Sequence, residues 1–372
     1  PAAPPAATAS GKRIRSESST KVAAVTMRPR LRPGRLAHDA RSRRRRTISV
    51  ARMNAIVAVC VRPGKPAVEA QPLISRLALS LIRAPCYNLD TMADRSMSDE
   101  LSEDTVSRAL TTEWLGRPYL YTAAIDSTND RLKRMAADPA VASGTVLLAD
   151  YQSSGRGRMQ RRWEAPPGTS LLFSVLLRPG WLARQATWLT MLAGMAVAES
   201  IESVTGLLTR LKWPNDVVIA HEAGIDHDIQ WRKVCGLLLD VALAPDGRVE
   251  SAILGVGLNV NIAKDALPDA STPPTSLLIA VGRPISRLPL LVDLLGRLEY
   301  HYQAAMSVRS PAVAWAERLV TIGQAVQVTA VGSAEVLNGI AESVDEWGQL
   351  LVRDESGALH AIAAGDVTLR RH

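Results

Sequence analysis

The chain has 372 residues, of which 47% are hydrophobic and 22% charged, the ordinary composition of a folded protein with two or three domains. The net charge of +8 is unevenly spread: residues 1–96 hold 19 basic and 5 acidic residues, whereas residues 97–372 hold 25 and 31. The overall charge is therefore no argument for nucleic-acid binding by the larger part of the chain. No apolar run reaches the roughly 18 residues of a transmembrane helix, so we expect no membrane partner.

The first 96 residues differ in composition from the rest. They are rich in Ala, Pro, Ser and Arg and lack sustained helical or strand periodicity, which predicts a disordered basic extension. An organelle transit peptide and a DNA-binding arm are two other interpretations of this composition. The two-helix pattern of a folded DNA-binding domain is not visible. Because the composition changes abruptly at Met97, we expect the working protein to begin near that residue.

The chain contains three cysteines, Cys60, Cys86 and Cys235, without a C-x-x-C pair. The odd number and the spacing argue against a disulfide framework or a zinc site. This usage fits a reducing compartment, so we expect a cytoplasmic protein, or an organelle protein if the extension is a transit peptide. A homodimer is one compatible oligomeric state, which the sequence does not determine.

Apolar strand-like segments and amphipathic helical segments alternate from residue 119 onward. The predicted strands lie at 119–125, 144–149, 171–177, 217–220, 234–241 and 252–260. Capping side chains at 126–129 predict a helix start, and apolar residues recur at helical spacing over 188–204 and 288–319. We therefore predict an α+β fold with one mixed sheet flanked by helices over residues 97–320.

The last segment, residues 321–372, has a different pattern. Val326 and Val328 alternate with polar neighbours, and the sequences at 345–348 and 354–357 are typical of hairpin connections. Short strands joined by tight turns predict a small C-terminal β-barrel.

The densest chemical signal is a basic, glycine-containing segment. It comprises Gly155-Arg156-Gly157-Arg158, followed by Arg161, Arg162 and Trp163. Guanidinium groups bind phosphate oxygens through paired, charge-assisted hydrogen bonds, and glycines let the backbone approach a ligand closely. The segment is neither a P-loop nor a dinucleotide-binding fingerprint. It predicts a loop that grips a polyphosphate, and a solvated basic surface loop is the alternative.

Three further motifs carry polar groups at strand ends. In KWPND, Lys212 can neutralise a carboxylate or phosphate, and Asp216 can help hold a magnesium ion. In RKVCG, Lys233 opens an apolar strand, where its charge can point into a pocket. In GLNVN, Gly257 thins the strand for a ligand, and Asn259 ends it with an amide that can bind a base or a phosphate.

Together these motifs resemble the biotin–protein ligases, also called biotin–[acetyl-CoA-carboxylase] ligases. The matching elements, over about residues 118–371, are STN at 127–129, Gln152, GRGR with Arg161 and Trp163, KWPND, RKVCG and GLNVN. The resemblance implies a class II synthetase-like catalytic domain and an SH3-like C-terminal barrel. It also implies that biotin and MgATP give biotinyl-5′-AMP and pyrophosphate. The biotinyl group then passes to a lysine of the biotin carboxyl carrier domain of a carboxylase, which releases AMP.

The resemblance also assigns residues to the two substrates. The implied biotin site consists of Ser127, Thr128, Asn129, Gln152, Arg156, Gly157, Arg158, Lys233 and Gly236. The implied adenylate site consists of Arg161, Trp163, Asn215, Asn259 and Arg370. Lys233, Arg158 and Lys212 are the expected catalytic cations, because carboxylate and α-phosphate repel until cations neutralise them. Asp216 is the expected magnesium ligand.

The chain departs from the family pattern at two places. Gln160 stands inside the basic segment where the family usually carries glycine. The connection between Val217 and Val234 is long, and we predict an extended hairpin there. A metal site is the alternative for that connection, formed by His221, Glu222, His227 and Asp228.

Other functions remain open from the sequence. A lipoate–protein ligase shares the fold and the chemistry, but such enzymes lack the GRGR and KWPND elements. A biotin-sensing DNA-binding protein would use the basic extension. Because no N-terminal winged helix is visible, we expect a monofunctional ligase without repressor activity and without a specific nucleic-acid partner.

Overall fold

A computed structural model of the protein describes residues 101–223, 228–270, 272–307, 310–330 and 336–369. The chain divides into two units, Pro1–Arg83 and Ala84–His372, and every described residue belongs to the second. The predictions made for residues 1–96, the start near Met97 and the missing winged helix therefore lie outside the described residues. Within the described ranges, no helix is both long and apolar enough to cross a membrane.

The larger sheet of the described chain has seven strands. They are β1 Tyr119–Ile125, β2 Val146–Gln152, β3 Ser170–Leu177, β4 Thr209–Lys212, β5 Asp216–Ala223, β6 Asp228–Leu243 and β7 Val249–Asn259. Their order across the sheet is β1-β2-β3-β7-β6-β5-β4, with β1 and β2 parallel and all other neighbours antiparallel. Strand β3, which lies between β2 and β7 in the interior of the sheet, is buried along its whole length, and this explains its nearly continuous apolar sequence.

Helices cover both faces of this sheet. The α-helices are α1 Glu103–Ala109, α2 Thr128–Met135, α3 Thr187–Thr205, α4 Leu277–Val281, α5 Arg287–Met306 and α6 Ala312–Ala316. Helices α3 and α5 pack against each other in the main core. Leu132 of α2 forms a separate small core with Leu147, Leu176 and Ile253, so α2 lies on the opposite face. This face is the one that presents the start of α2 to the ligand cavity described below.

The C-terminal strands form a second, antiparallel sheet. They are β8 Ala325–Ala330, β9 Val336–Val344, β10 Leu350–Arg353, β11 Leu359–Ile362 and β12 Gly365–Leu369, in the order β11-β10-β9-β8-β12. Val326, Val328, Leu350 and Val352 fill its interior. The turns predicted at 345–348 and 354–357 join β9 to β10 and β10 to β11.

The turn between β9 and β10 attaches the small sheet to helix α3 and to the KWPND segment. Trp188 Nε1 donates to the Glu346 carbonyl at 2.9 Å, and Trp213 Nε1 donates to the Gly348 carbonyl at 2.9 Å. The Trp188 and Trp347 rings stack with their centroids 5.8 Å apart. Gly348 has a φ of 79°, and a Cβ at that position would lie 2.2 Å from Met191 Cε. A turn with a side chain at this position could not approach α3 so closely.

The predicted α+β class, with a mixed sheet flanked by helices and a separate C-terminal β domain, is confirmed. The prediction missed β4, a four-residue edge strand whose sequence TRLK has little apolar character. The predicted helical region 288–319 is two helices, α5 and α6. The extended hairpin predicted between Val217 and Val234 is present: β5 and β6 remain paired as far as Ala223 and Asp228.

The Trp347 contacts predict a measurable stability effect. Trp347→Ala removes the ring that stacks on Trp188 and lies under the Arg184 guanidinium. We expect the free energy of unfolding to fall by about 2 kcal/mol, because a half-buried aromatic ring and its stacking are lost. Chemical denaturation measures it, with Tyr300→Ala as the control because Tyr300 is 70% exposed. Equal stability of the two variants would contradict the proposed attachment.

Candidate active site

A cavity of about 650 Å³ lies between the larger sheet and strand β12 of the small sheet. It is lined by residues from every motif singled out in the sequence, together with Asp366, Val367 and Thr368 of β12. All residues assigned to biotin, adenylate or metal by resemblance lie on its wall except Arg370, which is outside the described residues. The cavity has the size of a typical small-molecule site.

Residues 155–163 form a short two-armed turn beside the cavity, which we call the basic hairpin. Trp163 N donates to the Gly155 carbonyl at 2.9 Å, and Gly157 N donates to the Arg161 carbonyl at 2.7 Å. At its tip, Met159 and Gln160 adopt left-handed φ values of 54° and 61°. Each left-handed non-glycine residue costs on the order of 1 kcal/mol, which accounts for the glycine that the family usually carries where this chain has Gln160.

The indole of Trp163 lies directly on two glycines of the sheet. Gly236 of β6 and Gly257 of β7 are paired across the strands. A Cβ at Gly236 would lie 2.7 Å from the Trp163 ring, and one at Gly257 would lie 2.5 Å from it. The second arm of the basic hairpin therefore reaches the sheet only because both positions lack a side chain.

One end of the cavity carries a network of neutral polar side chains. Thr128 Oγ1 donates to Gln152 Oε1 at 3.0 Å and lies 2.7 Å from Ser174 Oγ. Ser174 Oγ donates to Asn129 Oδ1 at 2.6 Å, while Ser127 caps helix α2 by accepting from Asp130 N. Ser127, Thr128, Asn129 and Ser174 are buried. The network suits a neutral ligand head that both donates and accepts hydrogen bonds.

The other end of the cavity carries four cations, of which two are paired with a carboxylate and two are not. Lys233 Nζ lies 2.6 Å from Asp216 Oδ1, and Arg161 pairs with Asp366 of β12. Lys212 Nζ donates to Thr272 Oγ1 at 2.8 Å, and Arg158 Nη1 donates to Asn215 Oδ1 at 3.2 Å. In the described part of the chain, neither Lys212 nor Arg158 forms an ion pair with a carboxylate.

Burial makes these two cations costly in the free protein. Burial lowers the pKa of Arg158 below its usual value and outweighs the opposing effect of Asp216. Burial likewise lowers the pKa of Lys212, and the nearby cations Lys233 and Arg161 lower it further. Such groups gain stability when an anion enters, because the anion replaces the missing counter-charge.

Two buried polar atoms on the cavity wall lack a protein partner within the described residues. They are the Asn259 Oδ1 acceptor and the Trp163 Nε1 donor. Asn259 Nδ2 donates to the Thr275 carbonyl at 3.0 Å, which orients the amide. Unpaired buried groups at a cavity are ready to bind a ligand that offers both a donor and an acceptor, as an adenine base does.

The remaining candidates have structural explanations. Cys235 is fully buried beside Lys233, and burial raises the pKa of its thiol, which is not suited to act as a nucleophile. No group of three metal-binding side chains occurs in the described ranges. The alternative metal site at 221–228 lies partly outside them, since His227 and the side chains of Glu222 and Asp228 are not described.

The structure adds residues that the sequence analysis did not select. Ser174 interrupts the apolar strand β3, a signal that could have been noticed. Thr272 and Asp366 lie in segments without a recognisable motif, 60 and 205 positions from their partners Lys212 and Arg161. Only the folded chain brings them to the cavity.

Comparisons with known proteins give the same family as the sequence motifs. Residues 121–259 match the biotin/lipoate A/B protein ligase family, and residues 321–370 match the biotin protein ligase C-terminal domain. The chain is 34% identical to a biotin–[acetyl-CoA-carboxylase] ligase of Mycobacterium tuberculosis, covering 74% of this chain and 98% of that protein. It is 32% identical to a bifunctional ligase/repressor BirA of Bacillus spizizenii, covering 73% and 79%.

A solved structure of a biotin protein ligase is also similar to this chain. The biotin protein ligase of Aquifex aeolicus in complex with biotin and ATP has 27% sequence identity and a TM-score of 0.54. The match covers 68% of this chain and 99% of that one. A polar pocket joined to a cationic pocket on a mixed sheet defines a ligase that activates a carboxylic acid. The chain belongs to the biotin–protein ligase family.

The glycine contacts of Trp163 predict a loss of nucleotide binding. In Gly257→Ala the new methyl group meets the indole, so the second arm of the basic hairpin must move. We expect ATP binding to weaken by about tenfold, since overpacking of this kind costs roughly 1–3 kcal/mol. Isothermal titration calorimetry measures the affinity. Gly296→Ala is the control, because a Cβ there meets nothing nearer than 3.7 Å; equal affinities would contradict the assignment.

The lowered pKa of Lys212 predicts a pH dependence of nucleotide affinity. Only the cationic amine attracts phosphate, so affinity falls as pH rises through the pKa of the free protein, by up to about tenfold per pH unit. Because that pKa is lowered, the fall begins below the usual lysine range. We expect Lys212→Arg to retain ATP affinity up to a higher pH. Binding titrations between neutral and alkaline pH test this, and identical pH profiles would refute it.

Proposed function

We propose that this protein is an ATP-dependent biotin–protein ligase. In its first reaction a carboxylate oxygen of biotin attacks the α-phosphorus of ATP, the bond to the β-phosphate oxygen breaks, and pyrophosphate leaves. In its second reaction the amine of a carrier lysine attacks the carbonyl carbon of biotinyl-5′-AMP, loses a proton, and AMP leaves. No covalent bond to the enzyme is required in either reaction.

The observation that carries the proposal is the pair of half-buried cations Arg158 and Lys212, which lie beside Lys233 and form no ion pair with a carboxylate in the described part of the chain. Two anions, the biotin carboxylate and the α-phosphate, must meet at the reacting atoms. In the proposed reaction Arg158 and Lys233, which line the cavity, would neutralise that charge, and Lys212 would bind the departing phosphates. The same cations stabilise the negative charge that builds up on the phosphate oxygens in the transition state.

The substrate assignment follows from the two ends of the cavity. The ureido ring of biotin is a neutral group with two donors and one acceptor, and it fits the network of Thr128, Gln152 and Asn129 next to Ser127. Arg156 and Gly157 in the basic hairpin and Gly236 on the sheet complete this end. The adenylate would contact Asn215, Asn259, Trp163 and Arg161, and Arg370 remains a proposal from the resemblance alone.

Magnesium fits this site as an ion bound chiefly by ATP. Mg²⁺ commonly retains waters and binds through substrate phosphates with one or two carboxylates. Asp216 lies on the cavity wall and contacts Lys233, and its carboxylate would hold the metal or one of the metal's waters. The ion would supply charge neutralisation at the phosphates.

The proposed protein partner is the biotin carboxyl carrier domain of acetyl-CoA carboxylase or a related carboxylase. Support comes from the Mycobacterium tuberculosis relative, which is a biotin–[acetyl-CoA-carboxylase] ligase. The free, buried thiol of Cys235 fits the cytoplasmic location that we propose. A DNA-binding role would depend on residues 1–96, which lie outside the described residues, and a homodimer remains a proposal.

Pyrophosphate release tests this function. Biotin with MgATP should release pyrophosphate, whereas lipoate should release little, because the Thr128 network matches a ureido ring. Lys233→Ala should lower the rate by about a hundredfold or more, the usual cost of removing one stabilising group of this kind. Lys264→Ala, which removes an exposed lysine outside the cavity, is the control. A lipoate-driven rate equal to that with biotin would favour the lipoate ligase, and a full-rate Lys233→Ala enzyme would contradict the assignment.

A further inference from the structure

Arg156 differs from Arg158, the other arginine of the GRGR motif, because its charge is already compensated by carboxylates. Its Nη1 lies 2.6 Å from Asp130 Oδ1 in the first turn of α2 and 3.1 Å from Asp240 Oδ2 on β6. Its Nη2 lies 3.4 Å from Asp240 Oδ1. The two carboxylates therefore hold one guanidinium from two different elements of the domain.

Asp240 also contacts the neutral end of the cavity. Its Oδ2 accepts a hydrogen bond from Asn129 Nδ2 at 3.0 Å. Asn129 in turn accepts from Ser174, which contacts Thr128. A chain of hydrogen bonds therefore runs from Asn129 of the proposed ureido site through Asp240 to Arg156 in the first arm of the basic hairpin.

A glycine in the sheet leaves room for the side chain of Asn129. Gly255 of β7 lies opposite Leu238, two residues before Asp240. A Cβ at Gly255 would lie 2.2 Å from Asn129 Oδ1. The backbone at Gly255 thus lets Asn129 reach between Ser174 and Asp240, and the Asp240 side chain is only 18% exposed.

The electrostatics agree with an anchoring contact. Partial burial lowers the pKa of Arg156, but the carboxylates of Asp240 and Asp130 more than offset it and hold that pKa above its usual value. At Arg158, by contrast, partial burial lowers the pKa below its usual value, because no ion pair offsets it. Arg158 is thus the hairpin arginine that needs a substrate anion, whereas Arg156 does not.

We propose that Asp240, assisted by Asp130, is a positioning residue that fastens the first arm of the basic hairpin through Arg156. A fastened arm keeps Arg158 over the reacting groups and retains the adenylate, and the Asn129 link makes biotin binding favour the fastened position. This role rests on the proposed function, because it assumes that the cavity holds biotin and its adenylate.

Asp240→Asn tests the role with little structural change. The amide oxygen can still accept from Asn129, but the charge that holds Arg156 is gone. In the full-length protein we expect release of biotinyl-5′-AMP and KM for biotin to increase by about threefold to tenfold, while KM for ATP changes by less than about twofold. Asp240→Glu restores the charge and should recover part of the retention. Rapid filtration with labelled biotin measures the release.

The matched control is Asp246→Asn in the turn between β6 and β7. Asp246 lies 3.6 Å from Arg248. The control therefore also removes the charge from an Asp–Arg pair, and this pair belongs to the β6–β7 hairpin that carries Asp240. Neither Asp246 nor Arg248 lines the cavity. Asp130→Asn is a second variant on the surface of α2, and it should weaken retention in the same direction. Adenylate release and KM for biotin equal to those of Asp246→Asn would overturn the proposal.

Limited trypsin digestion of the ligand-free protein supplies a measurement that needs no substrate. Trypsin cuts after Arg156, Arg158, Arg161 and Arg162 when the hairpin opens, and the rate follows the open population. We expect cleavage there to be about threefold to tenfold faster in Asp240→Asn than in Asp246→Asn. Equal cleavage rates would overturn the proposal even if biotin is the substrate. Faster cleavage without pyrophosphate release in the unaltered protein would support the anchor and contradict the proposed function.

Discussion

The close contact between the Trp163 ring and the paired glycines Gly236 and Gly257 is the constraint on which the site depends. The Trp163 ring can lie this close to the strand backbones only because the residues beneath it have no Cβ. This contact fixes the second arm of the basic hairpin, while ion pairs of Arg156 hold the first arm. The arginines between the two arms are therefore directed toward the cavity by packing at one end and by charge at the other.

The two ends of the cavity differ in charge, as the two substrates do: one end carries neutral polar groups and the other carries cations. The end near Thr128 is neutral and its groups are hydrogen-bonded to each other, so its geometry is set before any ligand arrives. The end near Lys212 and Arg158 holds two half-buried positive charges that have no carboxylate partner of their own among the described residues. The free protein is destabilised by this imbalance, and an entering polyphosphate removes it. The same repulsion and desolvation that lower the stability of the free site thus increase its affinity for an anionic ligand.

Much of the fold and most of the candidate site could be predicted from the sequence, because local signals were strong. The predicted strand 119–125 has the observed bounds of β1, and Ser127 caps α2 as its position indicated. Strand β4 was missed because it is short and polar and depends on pairing with β5. Thr272, Asp366 and the anchoring role of Asp240 could not be predicted, because each depends on a contact between residues far apart in the chain.

The ion pair between Arg161 and Asp366 joins the basic hairpin to β12 of the C-terminal sheet. The two family regions of this chain are separated by more than 60 residues of sequence, yet each supplies one half of this bond. The two regions also share one hydrophobic core, which includes Leu254 of β7 and Val326 of β8. A C-terminal domain taken from another protein would keep this bond only if it carried a carboxylate at the place of Asp366, so the hairpin and β12 would have to be exchanged as a matched pair.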